Sequence, residues 1–324
     1  MFKPRFVRPF PSSVPALLIA AILTLGLAPT STLAAPPTVA TSIKPVQALV
    51  KMVMGSLGDP ELVIPATASP HMFALKPSQA TTLEQADVVF WIGPDMETTL
   101  IGPLDKMAAN ARVVELMKTP GLRLIHFDEE AQNDDGHAHG NVDPHIWLAP
   151  SNGRKMISYI AEVLSEIDPP NADTYAKNAK KARQRITILS RKTMDYVVQM
   201  RYTPYLVQHD GYGYLALEFG MNEVGHIQTT PGREPGAKHV ADIIELIKSK
   251  NVKCLMHEPQ FAPKLAERLK QETGIALREI DPMGIHLSLS DTTYVRIIQG
   301  IIVSMEPCLQ PRAPKQPAQP APTQ

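Results

Sequence analysis

Three histidines in this chain stand in short, turn-rich settings just past apolar runs: Ser69-Pro70-His71, Asp143-Pro144-His145 and Gln208-His209-Asp210-Gly211. Asp281, in Ile280-Asp281-Pro282, occupies the same kind of place and offers an oxygen donor. Three imidazoles and a carboxylate make up a four-coordinate transition-metal site. A single histidine is more often solvent-facing or a satisfied core residue, so it is the shared placement of these four that points to a metal. Side chains so far apart along the chain meet only where a fold gathers strand ends, as α/β folds do at the carboxyl edge of a sheet.

The elements that would do the gathering alternate. Strand-like runs at 38–43, 61–64, 87–92 and 112–116 alternate with helical patterns at 46–57, 78–85 and 96–109. After position 200 the pattern repeats, with runs at 205–208, 223–227, 252–257 and 277–280 and helices at 212–219, 237–250, 262–272 and 292–305. Such alternation implies an α/β fold of two lobes, each a four-stranded, mainly parallel sheet flanked by helices. Between the halves, residues 172–200 contain no glycine or proline, and Ile186, Ile188, Leu189, Met194 and Val197 suit one amphipathic helix of about eight turns. We therefore expect lobes at 35–170 and 202–308 joined by a rigid helix at 171–201. His209 and Asp281 then follow strands directly, while His71 and His145 close connections in the first lobe. A metal held by all four would lie in the cleft between lobes.

Residues 1–34 read as a secretory signal peptide: Lys3, Arg5 and Arg8 without an acid, an apolar run at 14–27, and Thr32-Leu33-Ala34 before the cleavage point. That run is short for a permanent bilayer span, and no later run is longer, so the protein is not expected to be membrane-embedded. The first cysteine is Cys254, so no cysteine stands at the cleavage point to carry a lipid. The expected location is the periplasm, untethered. Basic and acidic residues number 32 each, and with no charge imbalance nothing points to nucleic acid or an anionic membrane as partner. Residues 309–324, mostly Pro, Ala and Gln, are expected to be a disordered tail beginning near Pro307. Cys254 and Cys308 can pair, closing a loop that would stabilise by roughly 4 kcal/mol, or can stand as two buried thiols.

Several motifs, in order, carry a family resemblance: Ser42-Ile43-Lys44-Pro45, Pro70-His71-Met72-Phe73-Ala74-Leu75-Lys76-Pro77-Ser78, Ala86-Asp87 through Gly93-Pro94, Asp143-Pro144-His145-Ile146-Trp147-Leu148, His209-Asp210, Glu258-Pro259-Gln260-Phe261 and Asp281-Pro282-Met283-Gly284. Over nearly the whole chain after the leader, the sequence resembles the periplasmic zinc-binding proteins of high-affinity zinc ABC transporters, the ZnuA-like group. The resemblance implies two lobes on a rigid helix, Zn2+ as ligand, and His71, His145 and His209 as its holders. It also implies a Cys254–Cys308 disulfide and delivery to a membrane permease with a cytoplasmic ATPase, and we expect a monomer. Manganese-binding relatives carry a carboxylate in place of His209, and three imidazoles favour zinc over manganese.

The sequence departs from the group in two places. Pro70 stands where several zinc members have glutamate, which leaves the fourth ligand to Asp281, the favoured choice, or to water. Residues 126–140 resemble a shortened form of the family's histidine-rich acidic loop, in which His126, Asp134, Asp135, His137 and His139 would hold a second metal weakly; the alternative is a plain solvated loop. His226, His239, His257 and His286 have no motif role and are read as structural. His257-Glu258 lacks the second histidine of a helical zinc-protease motif, and no residue pair supplies a general base beside an open metal position, so no enzyme is expected. The alternatives are a manganese- or iron-binding protein of the same family and a metal-dependent adhesin.

Overall fold

The computed structural model describes residues 35–127, 142–228 and 235–310, together with Met1 and Lys3. Its first sheet contains β1 (Val39–Thr41), β2 (Glu61–Leu62), β3 (Val88–Trp91) and β4 (Arg112–Glu115) in the order β2-β1-β3-β4. The second contains β5 (Tyr205–His209), β6 (Glu223–Gln228), β7 (Cys254–His257) and β8 (Ala276–Glu279) in the order β6-β5-β7-β8. All the pairings between these strands are parallel. β1, β3 and β5 are buried along their whole length, as expected of inner strands covered on both faces. In each sheet the chain crosses outward from a central strand, β1 or β5, first to one side and then to the other. The switch points lie beside the carboxyl ends of those two strands, where such folds bind ligands.

Nine helices are described: α1 (Lys44–Met54), α2 (Pro77–Glu84), α3 (Ile101–Met107), α4 (Pro150–Ile167), α5 (Ala172–Tyr196), α6 (Gly213–Phe219), α7 (Ala237–Ser249), α8 (Lys264–Thr273) and α9 (Thr293–Leu309). α4 is absent from the sequence expectation, although Pro150 at its first turn and an apolar stripe of Met156, Ile157, Ile160, Ala161, Val163 and Leu164 mark it. α5 is the expected connecting helix, about 37 Å long for its 25 residues. Its buried face differs from the one expected. Tyr175, Ala179, Ala182, Ile186, Leu189 and Thr193 repeat at alternating spacings of four and three and form the seam, whereas Ile188 and Met194 fall off that stripe and are exposed. Small alanines in the seam let a neighbouring helix approach closely, a role that a search for large apolar residues passes over.

α9 runs through Pro307 to Leu309, past the expected start of the tail. Leu309 is fully buried and its carbonyl accepts the Thr203 hydroxyl at 2.8 Å. Proline is tolerated there because only the last turn loses a backbone hydrogen bond. Cys308 in that turn pairs with Cys254 at the amino end of β7, with Cα atoms 6.0 Å apart. Residues 311–324 and nearly all of the expected leader lie outside the described residues.

The two sheets share a core. One contiguous cluster takes Val39, Val89 and Phe90 from the first sheet, Tyr205, Val207 and Met256 from the second, and Ile297, Ile301 and Met305 from α9. A smaller cluster, with Leu206, Ile243 and Leu255, fills the space under α7 and α8. Hydrogen bonds add direct ties across the two halves. Lys44 Nζ donates to the carbonyls of Ile285, at 3.4 Å, and Leu287; Trp147 Nε1 donates to the Pro282 carbonyl at 3.3 Å; Gln260 Nε2 donates to the Ala66 carbonyl at 3.1 Å.

Candidate metal centre

His209 is the last residue of β5, at the carboxyl edge of the second sheet. His71 sits in a one-turn 3-10 helix, Pro70–Met72, shortly after β2, where Pro70 fixes the backbone of the turn. His145 follows Asp143-Pro144 and opens another such turn, Ile146–Leu148. Asp143 shapes that loop by accepting the His145 backbone N–H on Oδ1 at 2.9 Å, an Asx-type turn.

These three side chains meet. His71 Nε2 lies 3.3 Å from His145 Nε2, which lies 3.1 Å from His209 Nε2, and their candidate ligand atoms all fall within 4.8 Å of one another. Zinc–nitrogen bonds of about 2.0–2.1 Å at tetrahedral angles hold neighbouring nitrogens about 3.3 Å apart. The observed spacing is that of a metal-binding face. The cavity beside it, about 20 Å³, has room for one water-sized occupant and is walled by Trp147, Leu148, Tyr212, Phe261 and Met283. Gly211 closes the back: a Cβ there would stand 2.7 Å from His209 Nε2 and 3.0 Å from His145 Nε2, closer than packed atoms approach. Only glycine leaves that space free.

The far sides of two rings are held by acids. His145 Nδ1 lies 2.7 Å from Asp143 Oδ1, and His209 Nδ1 lies 2.7 Å from Glu258 Oε1, the latter pair meeting obliquely as an ion-pair contact rather than along a well-directed hydrogen bond. Burial is the largest single influence and lowers the His209 pKa, but the carboxylates of Glu258, Asp143 and Asp210 together outweigh it, and the group ends above the ordinary 6.5. Contacts of this kind fix which ring nitrogen faces the metal.

Asp281 does not join the three histidines. Its Oδ1 accepts the backbone N–H groups of Met283 at 3.1 Å and Gly284 at 2.8 Å, and its Oδ2 accepts that of Ile285 at 2.6 Å. The carboxylate is engaged in shaping the turn after β8. His126 is exposed and forms an isolated antiparallel bridge with Val142, while Asp134, Asp135, His137 and His139 lie outside the described residues. Asp143, Gly211 and Glu258 were not singled out from sequence as parts of the site. Asp143 was visible beside His145 in its motif, and Glu258 stands one residue past β7 on the same sheet edge as His209.

A family model described as the zinc-uptake complex component A, periplasmic (ZnuA) matches residues 39–308. The chain belongs to the ZnuA family. It is similar to the high-affinity zinc uptake system protein ZnuA of Brucella abortus (strain 2308), with 33% identity over 305 residues covering 84% of this chain and 91% of that protein. Among solved structures, a crystal structure of ZnuA superposes with a TM-score of 0.71 at 24% identity over 83% of this chain and 98% of that one. The solute-binding protein FpvC from Pseudomonas aeruginosa, in complex with Mn2+, superposes with a TM-score of 0.72 at 21% identity over 84% and 99%. The ZnuA architecture is thus shared with a manganese complex, so the fold alone does not choose the metal.

Proposed function

We propose that this protein captures Zn2+ in the periplasm through His71, His145 and His209 and delivers it to an ABC-type permease for import. The observation that supports this reading most is the convergence of three Nε2 atoms at tetrahedral spacing around one small cavity. Imidazole donors suit zinc, whereas manganese suits carboxylate oxygens, and the one carboxylate expected in the shell is tied to the backbone of its own turn. We assign the fourth position to water, since the Asp281 carboxylate is engaged by the backbone of its own turn. The family description supports the periplasmic location. Transport rather than catalysis fits the acids of the site, since Asp143 and Glu258 sit behind the imidazoles and not beside an open metal position.

Metal analysis of protein isolated from the periplasm without added metal should find about one equivalent of zinc. Calorimetry on His209→Ala should show zinc binding weakened by several orders of magnitude with the fold retained. Near-native affinity in that variant would sink the assignment, and manganese in the isolated protein would sink the choice of metal.

A further inference from the structure

Asp143 and Glu258 are 1% and 4% exposed, and each touches a histidine of the metal centre. Neither forms an ion pair with a lysine or arginine among the described residues. Buried carboxylates without a cationic partner are costly and are normally paired or neutralised. Three neutral imidazoles bring no charge to an incoming ion, so a dication bound by them alone would leave two positive charges in a small, mostly apolar pocket. The two carboxylates behind His145 and His209 supply the same amount of negative charge. The charges of a divalent ion and of these two carboxylates then sum to zero.

We propose that Asp143 and Glu258 set the charge selectivity of the site, making a three-imidazole pocket a receptor for dications over monovalent metals of similar ligand preference. The inference rests on the three-histidine reading. A soft monovalent ion such as Ag+ also takes imidazole nitrogen, but it leaves one buried carboxylate uncompensated. Each acid acts through the histidine it touches, and neither needs to contact the ion.

The test uses Asp143→Asn, Glu258→Gln and the double variant, which keep shape and hydrogen-bonding oxygen but remove charge. Binding of Zn2+ and of Ag+ is measured by competition in chloride-free buffer, with circular dichroism checking the fold. Each single change should weaken Zn2+ by about 10–100-fold, the range typical of partners that orient metal ligands. Ag+ affinity should stay within a few-fold or rise, so that the Zn2+/Ag+ ratio collapses in the double variant. Glu258→Asp, which keeps the charge, should keep most of the discrimination even if both affinities drop. Equal losses for the two ions would overturn the proposal and leave the acids as orienting groups only; unchanged Zn2+ binding would overturn it too. Failure of the underlying assignment shows separately, because His209→Ala would then retain both ions.

Discussion

Gly211 is where a single added atom would crowd the site. Gly211→Ala places a methyl group 2.7 Å from His209 Nε2, so either the ring or the loop must shift. A misplacement of that size at a ligand should weaken zinc binding at least about tenfold while thermal stability changes little, since the residue lies on a connecting loop and not in a helix or strand. Calorimetry and a melting curve on the variant check both parts, and unchanged affinity would show that the pocket has more slack than its distances allow. A second expectation concerns protons. Ligation needs neutral imidazoles, whose ordinary pKa is about 6.5, and against the lowering effect of burial the carboxylates around His209, Glu258 foremost among them, hold it above that value. Protons therefore compete at His209 at a higher pH than at an ordinary histidine. Apparent zinc affinity should fall steeply with acidification, its decline beginning above pH 6.5. A titration flat from neutrality to about pH 5 would instead mean a carboxylate-dominated site.

At the level of elements, strands β5 and β7 separate stability from binding. The Cys254–Cys308 disulfide fastens the amino end of β7 to the last turn of α9, while His209 stands at the carboxyl end of the neighbouring β5. Cys254→Ala with Cys308→Ala should thus lower the free energy of unfolding by about 4 kcal/mol, the chain-entropy value for a loop whose ends are 54 positions apart, and leave zinc stoichiometry unchanged. Urea denaturation and calorimetry on the double variant measure the two quantities. Loss of zinc binding in a protein that remains folded would mean that the bond positions the site. The strands were legible in the sequence, the inner ones as continuous apolar runs and the edge strands β2, β4, β6 and β8 through their alternation with helical patterns. α4 was not, and the buried face of α5 was only partly read. Both depend on small residues and on spacing against a neighbour, which apolar character alone does not reveal.

For the whole molecule, the shared core and the cross-half hydrogen bonds of Lys44, Trp147 and Gln260 oppose hinge opening. Large rotations require an interface that can part, and here separating the halves would expose a continuous apolar cluster. Small-angle scattering of the metal-free and zinc-loaded protein should give radii of gyration differing by less than about 1 Å, a limit set by hinge motions being excluded and only local shifts remaining. A larger contraction on loading would show that the halves do close on the ion, and that the observed arrangement is one of two.

The sequence by itself determined the residue types and their edges. Three imidazoles near strand ends, two cysteines able to pair, and an alternating order of elements were all present in one dimension. The tertiary structure decided which groups share a point. Asp281 had the right chemistry and the right place after a strand, but three backbone N–H groups of its own turn capture its carboxylate. Glu258 became part of the site because β5 and β7 are neighbours in the sheet, and Gly211 because it follows His209 by two residues and packs against its ring. Local pattern fixes where a side chain can stand along an element, whereas hydrogen-bond competition and strand order fix what it meets, and both are properties of the folded chain alone.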